Sequence, residues 1–202
     1  MGDLDEVDLA SGWFEQLQAW FAQATADPRT VEPNAVQLAT ADASGHPSVR
    51  TVLVKALDER GIVFYTGYES AKGRELAQNP YASAVFAWLA QERQVRLTGR
   101  VRRVSRAETE AYFAGRPRGS QIAAWASPQS AVLDSREVLR ERVRDVEARF
   151  DGVDVVPAPP NWGGFLLAPD TVEFWQGRAD RLHDRFRYRP VAGGWQIDRL
   201  AP

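Results

Sequence analysis

The sequence predicts an α+β protein built on a small barrel of antiparallel strands, with helices flanking it. Three observations lead there. Apolar residues recur at helical spacing over Trp13–Ala24 and change to a period of two from about Ala35. Short strand-like runs are then separated by turn signals, Asp42-Ala-Ser-Gly-His-Pro47 and Asp58-Glu-Arg-Gly61, as antiparallel neighbours require. A helical block over residues 105–150 interrupts the strands, which return at Trp162. This order does not suit a doubly wound parallel sheet.

Each element follows from local pattern. Trp13, Leu17, Trp20, Phe21 and Ala24 form one stripe of an amphipathic helix that Asp27-Pro28 ends. Strands are expected over Ala35–Ala41, Ser48–Ala56 and Ile62–Thr66, paired as a meander. A short helix over Ser70–Asn79 stops at Pro80, and strands follow over Ala82–Trp88 and Gln94–Val104. Helices are expected over Ser105–Gly115, over Gly119–Ala126 with Ser120 as N-cap, and over Asp134–Phe150. Trp162-Gly-Gly-Phe165 opens a last set of strands that runs to Asp198. The reading is a loose acidic lead-in over 1–10 and a single domain over 11–202.

Composition narrows the function. The 202 residues are 44% hydrophobic and 26% charged, ordinary for a soluble globular protein. A formal net charge of −2 supplies no basic field for nucleic acid or an anionic membrane. Cysteine is absent, which excludes disulfides, a thiol nucleophile and a thiolate metal site, and suits a cytoplasmic protein. The acidic N-terminus lacks the regions of a signal peptide, and no apolar run reaches the roughly 20 residues of a membrane span. With two histidines and scattered carboxylates, no metal site is expected.

Anion-binding residues are more suggestive. On a regular strand Arg181, His183 and Arg185 share a face near Trp175, a floor for a planar anionic ligand or a solvated edge strand. The odd spacing of Arg50 and Lys55 sends them to opposite sides, to serve two anions or simply as charged strand ends. Lys72 opens a helix, where an anion or an ordinary cap is favoured. Tyr112 and Arg116 are four apart, hence on one helical face, and with Ser120 could converge on a phosphate or form a plain helix connection. Gln129 and Ser130 add polar groups in a loop.

Taken together and in order, the strings Arg50-Thr-Val-Leu-Val-Lys55, Val63-Phe-Tyr-Thr66, Glu92-Arg-Gln-Val95, Arg116-Pro-Arg-Gly-Ser-Gln-Ile-Ala-Ala-Trp125, Ser127-Pro-Gln-Ser130, Trp162-Gly-Gly-Phe165, Glu173-Phe-Trp-Gln-Gly177 and Arg181-Leu-His-Asp-Arg-Phe186 resemble the pyridoxine/pyridoxamine 5′-phosphate oxidase family over roughly residues 30–202. The resemblance implies a split β-barrel of the FMN-binding type. It also implies a homodimer with FMN at the interface, and oxidation of pyridoxine or pyridoxamine 5′-phosphate to pyridoxal 5′-phosphate. Hydride leaves C4′ for flavin N5, and O2 reoxidises the flavin to give H2O2.

The resemblance also assigns roles. FMN is held by the stretch Arg50, Thr51, Val52, Leu53, Val54 and Lys55, by Tyr65, Thr66, Lys72 and Gln94, and by Gln129, Ser130, Trp175 and Arg185. Of these, Gln129, Ser130, Trp175 and Arg185 are expected from the other subunit. Lys55, Tyr112, Arg116 and Ser120 match the substrate phosphate clamp, and Arg181 and His183 the catalytic positions over the substrate ring. Ala71 stands where many members carry Arg, with Arg74 one turn further on. Two other readings are an oxidase of a natural-product intermediate of the phenazine-pathway type and a non-catalytic flavin or pyridoxal phosphate-binding protein.

Overall fold

A computed structural model describes residues 4–202. The chain begins with helix α1 (Trp13–Ala26), followed by strands β1 (Ala35–Ala41), β2 (Pro47–Leu53), β3 (Ala56–Asp58) and β4 (Gly61–Gly67). Helix α2 (Ala71–Gln78), β5 (Tyr81–Trp88) and β6 (Arg93–Arg103) come next, then helices α3 (Arg106–Ala114), α4 (Arg118–Ala126) and α5 (Arg136–Arg149). The chain closes with β7 (Trp162–Gln176), β8 (Asp184–Val191) and β9 (Gly194–Arg199).

All nine strands form one antiparallel sheet with the path β2-β1-β5-β6-β7-β4-β3, and β8 and β9 extend from β7. The two ends of that path, β2 and β3, are joined in the chain by Val54 and Lys55 alone. The sheet therefore curls until its edges meet at this junction, where the Val54 N–H donates to the Asn34 carbonyl at 2.9 Å and the Lys55 N–H to the Val63 carbonyl of β4 at 2.8 Å. This is a split antiparallel barrel. The expected meander is corrected here: β4 pairs with β7, not with β2. β7 presents a nearly continuous apolar run on both faces and so belongs in the middle of the sheet.

Helix α1 lays Trp13, Leu17, Trp20 and Ala24 on the barrel. Trp20 meets Phe174 edge to face at 5.3 Å, and Phe174 meets Tyr188 at 5.4 Å. Helices α3–α5 cover a second cluster around Phe113, Ile122, Phe150 and Trp162.

Three local expectations change. Residues 4–10 are docked: Leu4 is buried, Asp5 and Glu6 pair with Arg199 at 2.6 and 2.8 Å, and Tyr188 donates to the Ala10 carbonyl at 2.8 Å. The acidic charges that suggested a loose lead-in are held by a basic strand; residues 1–3 lie outside the described residues. Pro117, not Ser120, is the N-cap of α4, and Ser120 is its third residue. Arg181 lies in a 3-10 turn with Asp180 and Arg181 at φ 55° and 61°, and β8 starts only at Asp184. Arg181, His183 and Arg185 therefore do not share a strand face, because the chain uses this stretch to reverse between β7 and β8. Among the described residues no helix is long and apolar enough to cross a membrane.

Phe174→Ala removes a ring that is fully buried between two aromatic neighbours. It is expected to cost about 3–5 kcal/mol in urea denaturation. A loss below about 1 kcal/mol would show that α1 is not anchored there.

Candidate functional site

The split in the barrel places its two flanking cations differently. Lys55 lines a cavity of about 280 Å³ with Thr51, Val52, Leu53, Lys72, Tyr112 and Arg116. A cavity of about 460 Å³ adjoins it, sharing Tyr65, Thr66, Arg116, Gln129 and Trp162 and adding Ser70, Arg74 and Ser120. Arg50 lines neither. Its guanidinium donates to Glu75 Oε2 at 3.0 Å and to the Thr40 hydroxyl. Glu75 also accepts from Ser48 at 3.0 Å. Burial works to raise the Glu75 pKa, but the hydrogen bonds from Thr40, Ser48 and Arg50 outweigh it and hold the carboxyl below its ordinary range. The Arg50 charge is thus neutralised locally. Val54 is buried in the core.

Lys72 is in the opposite situation. It lies in the first turn of α2, whose N-terminus Ser70 caps by accepting from the Gly73 N–H. Lys72 is only 7% exposed, and its amine donates to Thr66 Oγ1 at 3.2 Å. Among the described residues it has no carboxylate partner within ion-pair distance. Burial, reinforced by the charge of Arg50, pushes its pKa down. The Lys72 ammonium is thus buried with one hydroxyl partner beside a helix N-terminus, a setting that favours an anion.

Arg116 is likewise incompletely partnered. It lies beyond the end of α3, so it does not share a helical face with Tyr112; Gly115 and Pro117 stop the helix. The turn carries its guanidinium back over Trp162 at 4.7 Å. Tyr65 and Tyr112 stack at 3.8 Å, and Tyr65 stacks on Trp162 at 5.5 Å. Arg116 Nη1 is buried with no hydrogen-bond partner among the described residues. Burial works against the Arg116 charge and raises the Tyr112 pKa, each partly offset by the other group. Trp162 was not singled out as a site residue. Its string Trp162-Gly-Gly shows why glycine follows: a Cβ at Gly163 would lie 2.0 Å from Tyr68 Oη, and one at Gly164 2.6 Å from Val104.

Gln129 Oε1 accepts from Thr66 Oγ1 at 2.8 Å and from the Gly67 N–H at 3.0 Å. Within its own chain Gln129 thus sits beside Thr66. Ser130, exposed with φ 71°, lines neither cavity. Arg74 lines the larger cavity and donates to the Glu69 carbonyl.

The remaining candidates gather elsewhere. Gln94 and Trp175 are register partners on β6 and β7. With His183 they line a separate cleft of about 300 Å³ that shares no lining residue with the first two cavities. The His183 ring packs against Trp175 at 4.5 Å. Arg181 is exposed nearby in the turn. Arg185 is held by Glu173, at 2.9 Å from Nε and 2.8 Å from Nη2, and by the Ala201 carbonyl at 2.8 Å from Nη1. Glu173, 7% exposed, also takes Arg96 at 2.5 Å. A lone glutamate inside an apolar strand was the available signal for it. Among the described residues no group of three or more acidic or histidine side chains is placed to hold a metal.

Lys72→Met removes a buried charge without shrinking the side chain much. FMN-free protein is expected to gain about 1 kcal/mol in thermal denaturation, while FMN binding weakens at least about tenfold. Loss of stability with unchanged FMN affinity would contradict the anion-site reading.

Comparison with known proteins converges on one family. Residues 16–150 match the family model described as pyridoxamine 5′-phosphate oxidase, and residues 162–202 match the pyridoxine 5′-phosphate oxidase C-terminal dimerisation region. The chain is 54% identical over 201 residues to a pyridoxine/pyridoxamine 5′-phosphate oxidase of Saccharopolyspora erythraea, covering 100% of this chain and 90% of that protein. It is 57% identical over 201 residues to the protein of that name from Salinispora arenicola, covering 98% and 90%. It also superposes on PhzG from Burkholderia lata 383, solved with tetrahydrophenazine-1-carboxylic acid, at a TM-score of 0.91 and 34% identity over 99% of this chain and 98% of that one. An FMN-binding protein from Nostoc punctiforme, with TM-score 0.74, 18% identity and coverage of 96% and 100%, shares the fold. With residues 16–150 and 162–202 both matched, the chain belongs to the pyridoxamine 5′-phosphate oxidase family.

Proposed function

We propose that this protein is an FMN-dependent oxidase that converts pyridoxine or pyridoxamine 5′-phosphate to pyridoxal 5′-phosphate, with O2 as acceptor and H2O2 as product. The observation that carries the reading is the pair of incompletely partnered cations, buried Lys72 and half-buried Arg116, lining one set of adjoining cavities. Two cationic centres suit two phosphates, one on the cofactor and one on the substrate. The cavity volumes fall in the range of small-ligand sites.

FMN fits the donor set. Lys72, the α2 N-terminus and Thr66 suit its phosphate, and Gln129 offers a polar edge beside them. Lys55, Tyr112, Arg116 and Ser120 suit the substrate phosphate. When bound, FMN supplies the two-electron acceptor and the route to O2. The chain's own task is positioning, worth several kcal/mol of barrier when the reacting groups are held in register. Trp162 holds the Arg116 plane, and Glu173 holds Arg185.

Geometry supports a homodimer with FMN between copies. Gln94, Trp175, His183 and Arg185 lie toward the far end of β7 from Trp162. At roughly 3.3 Å per residue the strand between Trp162 and Trp175 runs about 40 Å. One FMN does not span that within one chain, whereas a second copy brings its Trp175 end to the first copy's Trp162 end. The C-terminal region, matched as a dimerisation region, includes all of β7. The phosphate clamp disfavours a substrate without phosphate.

FMN-loaded protein mixed aerobically with pyridoxine 5′-phosphate is expected to release peroxide and an amine-reactive aldehyde; a yellow but inert protein would contradict the assignment. Arg116→Ala is expected to raise KM for the phosphorylated substrate about 10- to 100-fold, the range of one charged hydrogen bond, with little change in FMN affinity. Equal losses would show that the two phosphates are assigned to the wrong cations.

A further inference from the structure

We propose that His183 acts as a fixed hydrogen-bond donor, its ring held with the proton on Nε2 by the backbone N–H of Arg178, and not as a proton acceptor. The tautomer follows from one contact. The Arg178 N–H donates to His183 Nδ1 at 3.1 Å. A backbone N–H only donates, so Nδ1 must carry the lone pair. A ring protonated on Nδ1 would set two hydrogens face to face. In the neutral ring the single proton is then on Nε2, whose lone pair is no longer available to receive one.

Both sides of this contact are tied down. Gly177, just before Arg178, donates to the Glu92 carbonyl at 2.7 Å. Gln176 Nε2 donates to the carbonyls of Gln91 and Glu92 at 3.2 and 3.3 Å, and its Oε1 accepts from Arg93 at 2.7 Å. On the other side, Asp184 accepts from the Leu4 N–H at 3.3 Å and pairs with Arg178 Nε at 3.6 Å and Arg199 Nη1 at 3.1 Å. Trp175 packs against the imidazole at 4.5 Å with a 42° tilt. The backbone on either side of the ring is held and Trp175 packs against the imidazole, so the ring stays where Nδ1 meets the Arg178 N–H.

With Nδ1 engaged by the Arg178 N–H, the Nε2–H is the donor left for a ligand. His183 lines that cleft beside Gln94 and Trp175, and Nε2 has no hydrogen-bond partner among the described residues. A preorganised donor of this kind suits a lone-pair or anionic oxygen on an aromatic ligand. That ligand class rests on the function proposed above; the tautomer does not.

The test uses holoenzyme labelled with 15N-histidine. The chain has only two histidines, and His46→Gln, an exposed position outside the site, assigns the spectrum. At about pH 8, where an ordinary imidazole is neutral, long-range 1H–15N correlations should show His183 wholly as the Nε2–H tautomer. An Nδ1–H pattern or averaged tautomers would overturn the proposal, whatever the substrate. In turnover, His183→Gln places an amide donor near the Nε2 position and His183→Asn places one near Nδ1. The Gln variant should keep at least about tenfold more kcat/KM than the Asn variant, the equivalent of one hydrogen bond. Equal losses, with the oxidase activity of the parent intact, would overturn the donor role and leave the assigned function standing.

Discussion

Strand β7 is the constraint on which the rest of the structure depends. It pairs with β4 over its first six residues, with β6 from Phe165 on and with β8 over its last five, so it is held in the sheet from Trp162 to Gln176. Its first residue supports the stack of Tyr65, Tyr112 and Arg116; its last residues carry Glu173, Trp175 and the start of the His183 turn. One strand thus links the Trp162 group of side chains to the Trp175 group, and in the function proposed above each end carries half of a binding site. In that reading a dimer brings the unlike ends together.

Charge treatment separates scaffold from site. Arg50 has Glu75, Arg185 has Glu173, and Arg199 has Asp5, Glu6 and Asp184. These are built pairs, and breaking one would leave a part-buried charge uncompensated. Lys72 and Arg116 lack such carboxylates among the described residues, although Lys72 is buried and Arg116 half-buried. Keeping an unneutralised cation out of water costs stability unless a ligand repays it. The proposed cofactor and substrate phosphates are anions of the right charge for these two places.

Much of the fold was legible because it is written in local periods. The stripe Trp13-Leu17-Trp20-Ala24 and the alternation of β5 and β6 map directly onto the buried faces. Strand partnership was not legible: β4 joins β7 about a hundred residues away, and no spacing rule of two or four reports that. Candidate site residues were found by residue type in a familiar order, but their grouping was not. Gln129 sits beside Thr66 through its own loop, and Gln94 sits with Trp175 through strand register. The shared strand face of Arg181, His183 and Arg185 failed because two left-handed residues break the period there. Glu75 and Glu173 act only through the arginines they hold, and Trp162, which lines both cavities, is an aromatic that residue type alone does not mark as a site residue.

Mixed dimers test the central claim most directly. One copy carries Arg116→Ala and Lys72→Met, with its Trp175 end intact; the other carries His183→Ala and Trp175→Ala, with its Trp162 end intact. Each homodimer alone should be nearly inactive. Random reassociation yields half mixed dimers, each with one intact site, so activity should return to about a quarter of that of the unmodified protein. If the mixture stays as inactive as its parents while mass spectrometry shows that mixed dimers form, each site is built within one chain and the two-ended reading of β7 is wrong.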